Sequence, residues 1–224
     1  MDEPLNNLTE SHTTFGQDPA DSNGLPPKAS AFANRHDAGL RLAIELAAYR
    51  ASAPVVLGVA RGGVAVARVV ADALGAPFGV IVALKLRVPG QPELAAGAVA
   101  PGVRFVCDDV VRELEISTSY LTIAAEELER ELVQRAALFR TSANPALHER
   151  HVILIDDGIA SGATAAAAVR SVRLAGAKHV VVSAPVASTA GLKAVRIADE
   201  VIVLSFPITT CALLALTTRG RRRA

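Results

Sequence analysis

The chain has no tryptophan and only two tyrosines, Tyr49 and Tyr120, so flat aromatic surfaces are scarce. It has two cysteines, Cys107 and Cys211, far apart and outside any C-x-x-C or Cys/His cluster. That excludes a zinc cluster and a disulfide framework, and points to a reducing, cytoplasmic setting. Net charge is also scarce, at +1, so no global field attracts nucleic acid. Four of the positive charges sit at Arg219, Arg221, Arg222 and Arg223, which leaves the rest mildly acidic. No run of about 18 uncharged apolar residues occurs, which argues against a membrane span. Residues 1–25 are polar and acidic with no apolar centre, unlike a secretory signal.

What is present is an apolar chain of 224 residues, 51% hydrophobic, long enough to bury one full core. Composition divides it into a disordered leader over 1–30, a folded domain over 31–210 and a basic C-terminal tail over 211–224. A helix is expected from Asn34 to Arg50, with Leu40, Ile44 and Ala47 on its apolar face. Val55–Val59 reads as a strand buried on both faces. Val64–Leu74 reads as a helix closed by Gly75. A strand over Val80–Leu84 follows, then an aperiodic stretch from Lys85 to Gly102, a short strand over Val103–Cys107 and a long helix from Ser117 or Ser119 to Phe139. Strands at 152–155, 180–182 and 201–204 alternate with helices ending at Ala175 and Ile197. Strands separated by helices imply an α/β fold with a doubly wound, mostly parallel sheet flanked by helices. Ligands of such sheets bind beyond the carboxyl ends of the strands, where the unusual segments 60–63, 85–97, 156–164 and 185–188 all fall.

The most informative segment is Val152-Ile153-Leu154-Ile155-Asp156-Asp157-Gly158-Ile159-Ala160-Ser161-Gly162-Ala163-Thr164. Four aliphatic residues lead into two acids, then into small and hydroxyl residues before an alanine-rich helix. Backbone N–H groups of the loop and the positive end of the helix dipole suit an anion. Ser161 and Thr164 add hydroxyl donors, and Gly162 permits close approach. Asp156 and Asp157 can accept bonds from vicinal hydroxyls. Together these features suit a sugar phosphate. A lysine-dependent P-loop is excluded because no lysine follows Gly162, and G-x-G-x-x-G is absent. The plainer reading, two acids that end a strand and cap a turn, would suit an isolated Asp-Asp pair.

This segment resembles the thirteen-residue phosphoribosyl-pyrophosphate (PRPP) motif of type I phosphoribosyltransferases. Gly58-Val59-Ala60-Arg61-Gly62-Gly63-Val64 is similar to the family's pyrophosphate loop. Lys85-Leu86 with Pro89-Gly90-Gln91-Pro92-Glu93-Leu94-Ala95-Ala96-Gly97-Ala98 resembles a signature of a bacterial subgroup, as do Asn34-Arg35 and Asp109-Val110-Val111. The resemblance covers roughly 32–204 and implies a type I phosphoribosyltransferase-like fold with a small, incomplete hood.

The resemblance implies roles residue by residue. Asp156 and Asp157 would be catalytic, holding the ribose hydroxyls with Mg²⁺ nearby through substrate or water. Gly158, Ile159, Ala160, Ser161, Gly162, Ala163 and Thr164 would bind the 5′-phosphate. Ala60, Arg61, Gly62 and Gly63 would hold pyrophosphate, in a loop where the family often has a non-proline cis peptide. Lys85 would be a catalytic cation. Arg61 and Lys85 also read as solvated charges, and Glu93 as either a metal contact or a surface carboxylate. Segment 86–97, with Pro and Gly at its ends, is a candidate lid.

The implied reaction is Mg²⁺-dependent transfer of a phosphoribosyl group from PRPP to an unidentified nitrogenous base. The acceptor platform is expected after Leu204, yet Phe206 is the sole aromatic there. That favours, as the alternative, a non-catalytic PRPP-sensing regulator or RNA-binding protein, with the Arg219–Arg223 run as either an RNA contact or a solvated terminus. A phosphatase or sugar-phosphate binder on the same sheet is a third reading. The family often forms homodimers, and the 119–139 helix is a candidate surface.

Overall fold

The alternating pattern builds two sheets in the computed structural model, which describes residues 12–15, 32–139 and 145–205. The chain runs β1 (His12–Phe15), α1 (Arg35–Glu45), a 3-10 turn (Ala47–Ser52), β2 (Val55–Ala60), α2 (Gly62–Leu74) and β3 (Phe78–Val82). It continues through β4 (Leu84–Val88), β5 (Gln91–Ala100), β6 (Val103–Val106), α3 (Asp108–Glu113) and α4 (Thr118–Leu138). It finishes with β7 (His151–Ile155), α5 (Ala163–Leu174), β8 (His179–Val186), α6 (Thr189–Val195) and β9 (Glu200–Ser205). Of the segment read as a leader, only His12–Phe15 is described, as a strand parallel to β9. The stretch read as an acceptor platform and the Arg219–Arg223 run lie outside the described residues.

The main sheet has the order β1-β9-β8-β7-β2-β3, and every pairing in it is parallel. Successive residues of a strand point to opposite faces, so a continuous aliphatic run serves two cores at once. Val55, Leu57, Val59, Val152, Leu154, Val180 and Val182 meet the alanine-rich inner face of α5. Val56, Ile153, Ile155 and Val181 meet Leu42 and Leu46 from the α1 segment and Val66, Val70 and Leu74 of α2. Helices on both faces make the sheet doubly wound, as expected. Among the described residues, no helix is long and apolar enough to cross a membrane.

The face of α1 is a correction. Leu40 and Ile44 are 48% and 73% exposed, while Ala38, Leu42, Ala43 and Leu46 are buried. A Cβ on Gly39 would overlap Val69 of α2. The helices therefore approach closely at Gly39, the side that carries Leu42 and Leu46 is buried, and Leu40 and Ile44 are left to solvent.

The stretch 85–102 is the second correction. It forms most of β4 and all of β5, which join the expected short strand, β6, in a three-stranded antiparallel sheet, β4-β5-β6, and the strand expected over 80–84 ends at Val82. Alternation is plain in Leu84-Lys85-Leu86-Arg87-Val88, where the three apolar residues are buried. Pro89 and Gly90 supply the turn, with Gly90 at φ 72°. In β5 the residues are small because both faces are covered. Ala95, Ala98 and Ala100 join the core containing α5, while Ala96 and Val99 pack with residues of α4. The long helix begins at Thr118, directly after the first of the two predicted caps, with Ser117 accepting a bond from the Tyr120 N–H.

Candidate functional site

From β2 the main sheet extends to β3 on one side and to β7, β8 and β9 on the other. The order therefore reverses between β2 and β7, and the crevice beyond their carboxyl ends is the expected binding place in such a sheet. Two sequence-predicted segments emerge there side by side: Ala60-Arg61-Gly62-Gly63 after β2, and Asp156 to Thr164 after β7.

The two segments touch. A Cβ on Gly62 would overlap the Asp157 carboxylate, and one on Gly63 would overlap the Ile155 carbonyl oxygen. Both glycines belong to the first turn of α2, which starts two residues earlier than the sequence pattern indicated. The Ala60–Arg61 peptide is cis. Arg61 is exposed and, among the described residues, makes no ion pair.

The acid pair is positioned by the end of β7. The Asp156 N–H donates to the Ser183 carbonyl at 3.1 Å, and its Oδ1 accepts from the Asp157 N–H at 2.8 Å. Burial, and then the neighbouring Asp157 carboxylate, push the Asp156 carboxyl well above its ordinary value. Asp157 is held from outside. The Arg35 Nε and Nη2 groups both donate to its Oδ2, at 3.1 and 2.7 Å.

The loop after the acids is attached to β8 and α6. The Ile159 N–H donates to Val186 at 2.9 Å, and the Ile159 carbonyl accepts from the Ser188 N–H at 2.9 Å. The Ile159 side chain is 1% exposed. Both backbone polar groups of Ile159 are thus engaged within the protein, and they anchor the loop to β8 and to the start of α6. The Ser188 hydroxyl donates to the Ala160 carbonyl and accepts from the Gly191 N–H at 2.9 Å. Gly162, at φ 75°, turns the chain into α5, and a side chain there would overlap Ala194 of α6. The first N–H groups of a helix have no carbonyl partner within it. The start of α5, with the Ser161 and Thr164 hydroxyls, thus presents donors to an anion.

Lys85 lies three residues past Val82, which is in register with Ala60, so it leaves the same end of the sheet. Its ammonium donates to the Glu93 carbonyl at 3.1 Å, across the β4–β5 hairpin. No contact joins it to Arg61 or to the acid pair. The Glu93 side chain is exposed. Asp109 lies on α3, 3.6 Å from the Lys193 ammonium.

Arg35 is the residue that the sequence reading left without a role. The local signal was available. Asn34 caps α1 by accepting from the His36 and Asp37 N–H groups, and Asp37 accepts in turn from the Ala33 N–H. That arrangement fixes Arg35 as the first helical residue. Its contact 122 residues away is not visible in spacing.

Among the described residues, no cluster of three or more His, Cys, Asp or Glu side chains could hold a metal alone. Two adjacent carboxylates with an oxygen-only donor set fit Mg²⁺, which keeps waters and takes few protein ligands.

A family model described as the phosphoribosyl transferase domain matches residues 33–208. Two curated Mycobacterium tuberculosis proteins, provisionally named as phosphoribosyl transferases, are each 44% identical over 184 residues. The match covers 79% of this chain but 40% of theirs, so the chain spans well under half the length of those relatives. A solved Thermus thermophilus structure is 38% identical, with a TM-score of 0.65, covering 81% of this chain and 89% of that one.

Proposed function

The chain belongs to the phosphoribosyltransferase family, and from that premise we propose that it transfers the 5-phosphoribosyl group of PRPP to a nitrogenous base, releasing pyrophosphate. The observation that carries this reading is the direct contact of the Gly62–Gly63 turn with the acid pair at the point where strand order reverses. A donor bearing a 5′-phosphate at one end and a pyrophosphate at the other needs two anion cradles with hydroxyl acceptors between them. The start of α5, the 60–63 turn and Asp156–Asp157 supply that set.

In this reading the main-chain N–H groups at 160–164 hold the 5′-phosphate, with the Ser161 and Thr164 hydroxyls beside them. Asp157 accepts from the ribose hydroxyls, and Asp156 supports it from beneath. Positive charge develops at the anomeric carbon as the bond to pyrophosphate breaks, and the acid pair stabilises it. Arg61, exposed and without an ion pair among the described residues, meets the leaving pyrophosphate. Mg²⁺, when bound, would supply further positive charge to the pyrophosphate oxygens. The β4–β5 hairpin rises at the same end of the sheet and would exclude water from the reacting centre. Lys85 would have to release the Glu93 carbonyl to reach the pyrophosphate. We assign the reaction to cytoplasmic nucleotide metabolism, a setting favoured by the two widely separated cysteines.

The test is incubation with PRPP, Mg²⁺ and a panel of purine and pyrimidine bases, with pyrophosphate release as the readout. Release that depends on one base supports the proposal. Binding of PRPP without release for any base contradicts it.

A further inference from the structure

We propose that Arg35 is a positioning residue for donor binding, which holds the Asp157 carboxylate in place for the ribose hydroxyls and so joins α1 to the acid pair as one unit. This role rests on the reading of the site as a PRPP site.

Three features of the structure support it. First, both hydrogen bonds from the guanidinium to Asp157 fall on the same carboxylate oxygen, Oδ2, which leaves Oδ1 of Asp157 available to a ligand. Second, an arginine at the first position of a helix faces the positive end of the helix dipole, where acids are favoured. Capping by Asn34 and Asp37 forms the start of α1 without any help from the Arg35 side chain. The guanidinium is thus placed against the local electrostatic preference, and Asp157, 2.7 Å away, is a partner of opposite charge. Third, Gly62 presses on the same carboxylate from another side. Asp157 is therefore confined between the first turn of α2 and the first residue of α1 before any ligand arrives. The Arg35 and Asp157 side chains are 32% and 16% exposed, so solvent screens the pair less than a surface ion pair.

A residue that acts only through Asp157 loses its effect once Asp157 is altered, and a double-mutant cycle detects this. PRPP affinity in the presence of MgCl₂ is measured by calorimetry on the full chain. The proteins are wild type, Arg35→Met, Asp157→Asn and the double variant. Circular dichroism and melting curves establish that each is folded. We expect Arg35→Met to weaken binding about tenfold or more, Asp157→Asn to weaken it at least as much, and the double variant to bind no more weakly than Asp157→Asn. If Arg35→Met fails to fold, Arg35→Lys replaces it in the cycle; it keeps the charge but loses the forked pair of donors. Wild-type affinity in the Arg35 variant would overturn the proposal. So would losses that multiply in the double variant, which would make Arg35 a direct ligand contact. Absence of PRPP binding by the wild type would instead contradict the donor-site reading beneath it.

Discussion

The Asp157 carboxylate occupies the space that a side chain on Gly62 would need. Two segments nearly a hundred residues apart thus meet in a contact that only glycine permits at position 62. Gly62→Ala must displace either the acid or the first turn of α2. We expect a cost of about 1–3 kcal/mol in stability, typical of overpacking. PRPP affinity should fall more than tenfold, an order of magnitude being about 1.4 kcal/mol. Chemical denaturation and calorimetry measure the two effects separately.

Ser188 joins two elements that shape the phosphate cradle. Its hydroxyl donates to the Ala160 carbonyl and accepts from the Gly191 N–H at the start of α6. Ser188→Ala removes a helix cap worth about 1 kcal/mol and releases the Ala160 carbonyl. The expected outcome is a modest loss of melting temperature together with a severalfold loss of affinity for ribose 5-phosphate, measured by competition against PRPP.

The buried face of α1 can be tested by a pair of substitutions. Leu42 is fully buried and Ile44 is 73% exposed. Leu42→Ala should cost about 2–5 kcal/mol, while Ile44→Ala should stay within about 0.5 kcal/mol of wild type. Urea denaturation of the two variants compares them directly. Equal costs would contradict the packing described.

These residues also show how far the sequence could be read. The β7 run, the acid pair and Gly162 were legible because each is local: a strand buried on both faces is continuously aliphatic, and a left-handed turn calls for glycine. The face of α1 was not, because its buried side is set by Gly39 fitting against Val69, a contact between elements. Ile44 looked like a core residue only because it is large and apolar. The β4–β5 hairpin was missed, although half of its signal is local. Leu84-Lys85-Leu86-Arg87-Val88 alternates, but the alanines of β5 have little strand propensity, and they suit a strand only because helices cover both faces. The Arg35–Asp157 pair is a long-range contact, and capping could place Arg35 on its helix without revealing its partner.

The opposite end of the sheet predicts the response to acid. His151 and His179 begin adjacent strands, with ring centroids 5.2 Å apart. His179 lies 2.9 Å from Glu200 and 3.7 Å from Asp199, and the Tyr49 hydroxyl donates to Glu200. Burial, then His179 and Lys178, hold His151 below its ordinary value, against the smaller opposing pull of Asp199 and Glu200. Its neutral form therefore favours the fold. That contribution is present above the unfolded value of about 6.5 and is lost as pH falls through the depressed folded value. Burial works against the Asp199 carboxylate, but the Val180 N–H and Arg173 hold it below its ordinary value. Its contribution is present above about pH 3.9 and is lost as pH falls through the lower folded value. Melting temperature should thus decline in two stages on acidification, and His151→Gln should flatten the first. An unchanged upper stage in that variant would contradict the assignment.

The central claim is that Asp156 and Asp157 form the ribose end of a PRPP site. The most direct measurement is PRPP affinity, with Mg²⁺ present, for wild type and for the Asp156→Asn/Asp157→Asn variant, with circular dichroism to establish that both are folded. The account predicts that the wild type binds PRPP and that the folded variant does not. A folded variant that keeps wild-type affinity would contradict it.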